Sequence, residues 1–118
     1  MNFNDLKIND DIKSAVSKMG FEKLTPIQTK AIPDALRGKD IIGQAQTGSG
    51  KTLAFGIPVL NKLFTPDKSP QAIILCPTRE LCVQVADEIK KLSRDMDKVK
   101  ILAVYGGQAI GRQIRVLN

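Results

Sequence analysis

A chain of 118 residues has room for one core, and 42% apolar with 25% charged residues is ordinary globular usage, which argues against a low-complexity or disordered chain. Eighteen Lys and Arg against twelve Asp and Glu leave a net charge of +6, which favours a polyanionic partner such as nucleic acid without identifying one. The absence of His, and two cysteines without a CxxC spacing, argue against a zinc centre and for buried free thiols.

No apolar run approaches the roughly 20 residues of a membrane helix, and the N-terminus is polar, so the cytoplasm is the expected compartment. Four Phe and one Tyr, scattered, are too few for a base-stacking platform, so nucleic-acid contact is expected at the backbone.

In chain order, Asn9 or Asp10 caps a first helix with Ile12, Val16 and Met19 on one face, and Gly20 ends it. Thr25-Pro26-Ile27-Gln28 has the pattern of a capping box with Pro at the first helical position. Ile27, Ala31 and Ile32 supply that helix's buried face; Pro33 is expected to interrupt it, leaving a short third helix over 33–36 that closes at Gly38. The pattern then changes. Residues 40–43, 72–76 and 100–105 are short apolar runs suited to strands covered on both faces, with helices expected over 51–63 and 79–92 between them. Strand, helix, strand, helix, strand predicts an α/β unit with a parallel sheet and crossover helices. A last helix is expected over 109–118, where the chain reads as cut rather than finished.

The strongest local signal is Ala45-Gln46-Thr47-Gly48-Ser49-Gly50-Lys51-Thr52, placed after an expected strand and at the start of an expected helix. That is the context of a phosphate-binding loop. Glycines at 48 and 50 let backbone amides turn inward, Lys51 can reach the outer phosphates, and the Thr52 hydroxyl suits Mg²⁺. A tight strand-to-helix turn would explain the glycines alone, but not Lys and Thr together at the helix start. The first position of the usual loop pattern is Ala45 instead of Gly.

With Gly20-Phe21-Glu22-Lys23-Leu24-Thr25-Pro26-Ile27-Gln28 upstream, the chain resembles the DEAD-box RNA helicases. The first segment looks like their Q motif, the loop like motif I, Pro77-Thr78-Arg79-Glu80-Leu81 like motif Ia, and Gly106-Gly107 like the paired glycines that follow, with Gln113 beyond them. Leu24 stands where the family commonly has Pro.

The resemblance implies a three-layer P-loop NTPase (RecA-like) fold, a parallel sheet with helices on both faces, stopping before the strand of the acidic motif. It divides the chain into a Q-motif helical region, 1–38, and the P-loop α/β part, 39–118. It implies ATP and Mg²⁺ as cofactors, with Phe3, seventeen residues before Gly20, stacking on adenine and Gln28 hydrogen-bonding to the base edge. Phe21, Lys23, Gln46, Thr47, Gly48, Ser49, Gly50, Lys51 and Thr52 complete the nucleotide site, Lys51 and Thr52 acting on the phosphates and Thr52 on the metal. RNA contacts, to sugar and phosphate, fall to Pro77, Thr78, Arg79, Gly106 and Gly107. From the residues alone, the capping box is the better account of Gln28 and an apolar anchor that of Phe3, while Thr78-Arg79 is equally explained as a cap followed by an exposed charge.

No Asp-Glu-Ala-Asp tetrad occurs in the sequence, and the second helicase lobe is not in it. The acidic pairs Asp10-Asp11 and Asp87-Glu88 read as solvated surface. The expectation is therefore nucleotide binding without efficient hydrolysis, by a chain that is poorly stable or associates through its strand edges. Two other readings compete: a stand-alone or interfering nucleotide- or RNA-binding module, and an unrelated P-loop NTPase.

Overall fold

Two of the helices begin at residues whose side chains favour a start, Thr25-Pro26 and Thr78. The computed structural model describes residues 1–46, 48–63 and 69–106, and places four α-helices there: α1 Asp10–Lys18, α2 Pro26–Leu36, α3 Lys51–Asn61 and α4 Arg79–Leu92, preceded by a 3₁₀ turn, Phe3–Asp5. Asn9 precedes α1 without capping it through its side chain; instead its backbone N–H donates to Asn61 Oδ1 at 2.8 Å, tying the start of α1 to the end of α3. At α2, Pro26 occupies the first helical position, and the Thr25 N–H donates to Gln28 Oε1 at 2.9 Å. Thr78 caps α4, its hydroxyl oxygen accepting from the Leu81 N–H at 3.1 Å.

One boundary differs from expectation. Pro33 does not break α2, which runs through it to Leu36 and stops before Gly38, at φ 82°. Proline removes the bond to the Thr29 carbonyl and crowds that oxygen, but Thr29 is exposed so water can replace the bond, and buried Ala31 and Ile32 hold the turn in place.

The core lies between the helices. α3 is flanked by α2 and α4, and α1 touches both α3 and α4. Ile12, Ile32, Ile57, Leu60, Leu92 and Val16 are the largest fully buried side chains, so all four helices contribute. At Gly56, α3 packs close against α4: a Cβ there would stand 3.1 Å from Leu92 Cδ1 and 3.6 Å from Ile89 Cγ1. The N-terminus closes over α1. Phe3, Leu6 and Ile8 join the same cluster, the Phe3 N–H donates to the Glu22 carbonyl at 3.0 Å, the Leu24 N–H donates to the Met1 carbonyl at 3.1 Å, and Asn2 and Lys23 form an antiparallel bridge.

The three runs expected as strands, 40–43, 72–76 and 100–105, form no ladder, and no strand occurs among the described residues. All of a strand's hydrogen bonds go to neighbours, so an apolar run without a paired neighbour has nothing to hold it in register. Ile42, Ile73 and Leu75 accordingly stand 102%, 82% and 91% exposed. The expected helix over 109–118 lies outside the described residues. Among the described residues, no helix is long and apolar enough to cross a membrane.

Candidate functional site

The loop between the run at 40–43 and α3 closes on itself before the helix begins. The Ser49 N–H and hydroxyl both donate to the Gln46 carbonyl, the N–H at 3.2 Å. Gly48 and Gly50 follow at φ 84° and 87°, a left-handed conformation that strains any residue bearing a Cβ. Gly50 is also the residue before α3, and it offers no side chain to cap the helix. Gly50 therefore gives the first-turn amides of α3 no side-chain acceptor, and they and the positive end of the helix dipole suit an anion. Exposed Lys51 and half-buried Thr52 stand in that first turn, and Lys51 has no ion pair among the described residues. These groups suit a triphosphate and its Mg²⁺: amides and an ammonium for the phosphate oxygens, a hydroxyl for the cation. Thr47 lies outside the described residues.

Gln28 is brought to this loop from 22 residues away. It is 3% exposed, its Oε1 accepts from the Thr25 N–H, and its Nε2 donates to the Gly50 carbonyl at 3.1 Å. That carbonyl also takes the Ala54 N–H at 3.2 Å, so the side chain fastens the start of α2 to the start of α3. Gly50 has no room for a larger residue, because a Cβ would overlap Gln28 Nε2. The Thr25 hydroxyl lies beside the same point, 3.2 Å from where that Cβ would sit, buried and without a hydrogen-bond partner among the described residues. The sequence pattern foretells the bond within the capping box; the bond to Gly50 depends on α2 meeting α3 and has no local signal.

The remaining residues expected at the nucleotide lie on the α1–α2 side. Phe21 is 45% exposed, its N–H bonded to the Val16 carbonyl at 3.2 Å, and Lys23 is exposed beside it in the segment paired to Asn2. Phe3 is 3% exposed and packed into the core cluster, so in this structure its ring is spent on anchoring the N-terminal segment.

A second region forms at the start of α4. Residues Ile74 to Arg79, Cys82 and Val104 to Gly106 line a cleft of about 440 Å³. Pro77, Thr78 and Arg79 of the expected RNA-contact set meet Gly106 there; Gly107 lies outside the described residues. In the Thr78 cap the hydroxyl oxygen accepts, so the cap itself does not use the O–H donor. Two features of the cleft were not read from the sequence. Arg79 lies over the Tyr105 ring, 5.5 Å from guanidinium carbon to ring centroid, and both cysteines face the cleft, Cys82 Sγ lying 3.9 Å from the Val104 carbonyl. Tyr105 stood in a run read only as a strand, and a contact across 26 residues leaves no periodicity to detect. Among the described residues, no group of three or more His, Cys, Asp or Glu could hold a metal ion.

With this geometry in place, the relatives become informative. Residues 25–118 match the family described as DEAD/DEAH box helicase. The chain is 54% identical over 116 residues to the DEAD-box ATP-dependent RNA helicase CshA of Bacillus cereus and 51% identical to CshA of Bacillus subtilis, covering 98% of itself in both cases. It is similar to the crystal structure of a DEAD box protein from Methanococcus jannaschii, with TM-score 0.92, 48% identity and 99% of the chain covered. The RNA helicase Prp28 from Chaetomium thermophilum, solved bound to ADP, gives TM-score 0.84 at 35% identity over 96% of the chain. The chain spans 22% and 23% of the length of those curated relatives, and 32% and 28% of those solved chains.

Proposed function

We propose, for a chain that belongs to the DEAD/DEAH box helicase family, that these residues form the adenine-nucleotide site and part of the RNA-backbone site of an ATP-dependent RNA helicase. The observation that carries this reading is the bond from Gln28 Nε2 to the Gly50 carbonyl. It puts a side-chain amide, with a second hydrogen and a second lone pair to offer a purine edge, against a loop whose amides suit phosphates. Gln46, Thr47, Gly48, Ser49 and Gly50 cradle the phosphates, Lys51 neutralises the outer ones, and Thr52 offers its hydroxyl to Mg²⁺. Phe21 and Lys23 border the base, and Phe3 holds the segment that carries them. Pro77, Thr78, Arg79, Gly106 and Gly107 meet the RNA backbone, reading no sequence.

The runs at 40–43, 72–76 and 100–105 belong, in this reading, to the parallel sheet of a three-layer RecA-like lobe, a reading supported by the likeness to the solved DEAD box protein. The sequence lacks the Asp-Glu-Ala-Asp tetrad that would position Mg²⁺ and the attacking water, so the chain binds nucleotide without efficient turnover. Titration with ATP, ADP and GTP in the presence of Mg²⁺, followed by phosphate release with and without RNA, tests both halves. Saturable binding that prefers adenine, with no RNA-stimulated release, is the expected result. Equal affinity for GTP counts against the adenine site, and multiple-turnover hydrolysis by the 118-residue chain overturns the account of its inactivity.

A further inference from the structure

The guanidinium of Arg79 is restrained without any of its hydrogen-bond donors having to be used. Its carbon lies 5.5 Å from the Tyr105 ring centroid, within the range where the ring's negative face attracts a cation. A carboxylate in that place would hold the arginine just as well, but it would neutralise the charge and occupy the N–H groups. A ring face does neither, because the five N–H donors lie in the guanidinium plane and point away from what stacks against it. Arg79 has no ion pair among the described residues. The backbone supports the same geometry. Arg79 is the first residue of α4, directly after the capping Thr78, and half-buried Tyr105 ends a run that meets α4 at Cys82, both within the one cleft.

We infer that Tyr105 is a positioning residue for RNA-backbone binding: its ring holds the Arg79 guanidinium on the wall of the cleft, with its N–H edge presented to a phosphate. This rests on the RNA reading above and goes beyond it, since Tyr105 itself need not touch RNA. Pre-ordering matters here because arginine is otherwise a freely rotating side chain, and fixing it in advance removes part of the ordering cost at binding.

The test uses the 118-residue chain and a fluorescent single-stranded uridine oligonucleotide, with affinity followed by anisotropy across a salt series. Tyr105→Leu is expected to weaken binding about 3- to 10-fold and to reduce the salt slope by up to about one, towards that of Arg79→Ala. Tyr105→Phe should bind like the wild type, since the ring face is kept. The double variant with Arg79→Ala should be little weaker than Arg79→Ala alone.

The inference is overturned if Tyr105→Leu binds and responds to salt like the wild type, if Tyr105→Phe falls as far as Tyr105→Leu, or if the two losses add. Retained adenine-nucleotide affinity and circular dichroism show that each variant is folded; should Tyr105→Leu unfold, Tyr105→Met, which also removes the ring, takes its place with the same expected loss. A wild-type chain that binds nucleotide but no oligonucleotide removes the RNA reading and this inference together, an outcome distinct from a failure of Tyr105 alone.

Discussion

The amide of Gln28 serves two backbone groups that the sequence separates by 25 residues, the Thr25 N–H and the Gly50 carbonyl. Replacing it with Ala leaves the part-buried Thr25 N–H without its acceptor and takes one of two hydrogen bonds from the Gly50 carbonyl, which keeps the Ala54 N–H, a loss of about 1–3 kcal/mol in stability, and on the proposed function it also removes the preference for adenine over guanine nucleotides. Thermal unfolding together with ATP and GTP titrations checks both, and a Gln28→Ala variant as stable and as selective as the parent would contradict the assignment. Gln28→Glu is a sharper probe, since it keeps the acceptor for Thr25 but sets a carboxylate oxygen against the Gly50 carbonyl. Its nucleotide affinity should fall at least as far as that of the alanine variant. Phe3 separates anchoring from base contact: Phe3→Ala should cost roughly 3–5 kcal/mol as a buried aromatic, whereas Phe3→Leu should leave ATP affinity within about twofold. The glycine turn at 48 and 50 and the helix start at Lys51 were legible because both are local. What joins that turn to Gln28 and Arg79 to Tyr105 was not, because each contact is made by elements that meet only in three dimensions.

Among the helices, the interface of α3 with α4 leaves little slack at Gly56. A helical glycine replaced by alanine ordinarily gains up to about 1 kcal/mol, yet at Gly56 the new methyl would press on Leu92, which is 0% exposed and cannot yield. Gly56→Ala should therefore bring no gain, and Gly56→Val should lose about 1–3 kcal/mol in denaturant unfolding. Stabilisation by either would show that α4 can shift away. Helix starts at Thr25 and Thr78 and stops near Gly20 and Gly38 were readable because caps and glycines act within one turn. Pro33 misled because its cost, about 3 kcal/mol in a helix interior, is offset by the burial of Ala31 and Ile32 in the same turn. The sheet was read from apolar runs alone, and such runs say that partners are wanted without supplying them.

At the scale of the molecule, the exposed pair Lys18 and Asp95, 2.9 Å apart, links α1 to the segment after α4. Hydrogen bonds from Lys18 and Ser14 hold the Asp95 carboxyl below its ordinary 3.8, so its stabilising contribution is present above that value and lost as pH falls through the folded-state value. Asp95→Asn should lower the melting temperature slightly at neutral pH and merge with the parent in acid, an effect that added salt shrinks. A difference that persists once the carboxyl is protonated in both the folded and unfolded states would need another cause. The exposed Ile42, Ile73 and Leu75 predict association: sedimentation should show mass rising with concentration, and a monomer at all concentrations would mean these side chains find cover within one chain. The cleft at the start of α4 has one more consequence. Its walls hold Cys76 and Cys82, and the sequence has no other cysteine, so a maleimide dye reacts in this one place and nowhere else on the chain. The unmutated polypeptide can thus carry its own optical reporter, whose colour and lifetime register whatever enters that crevice.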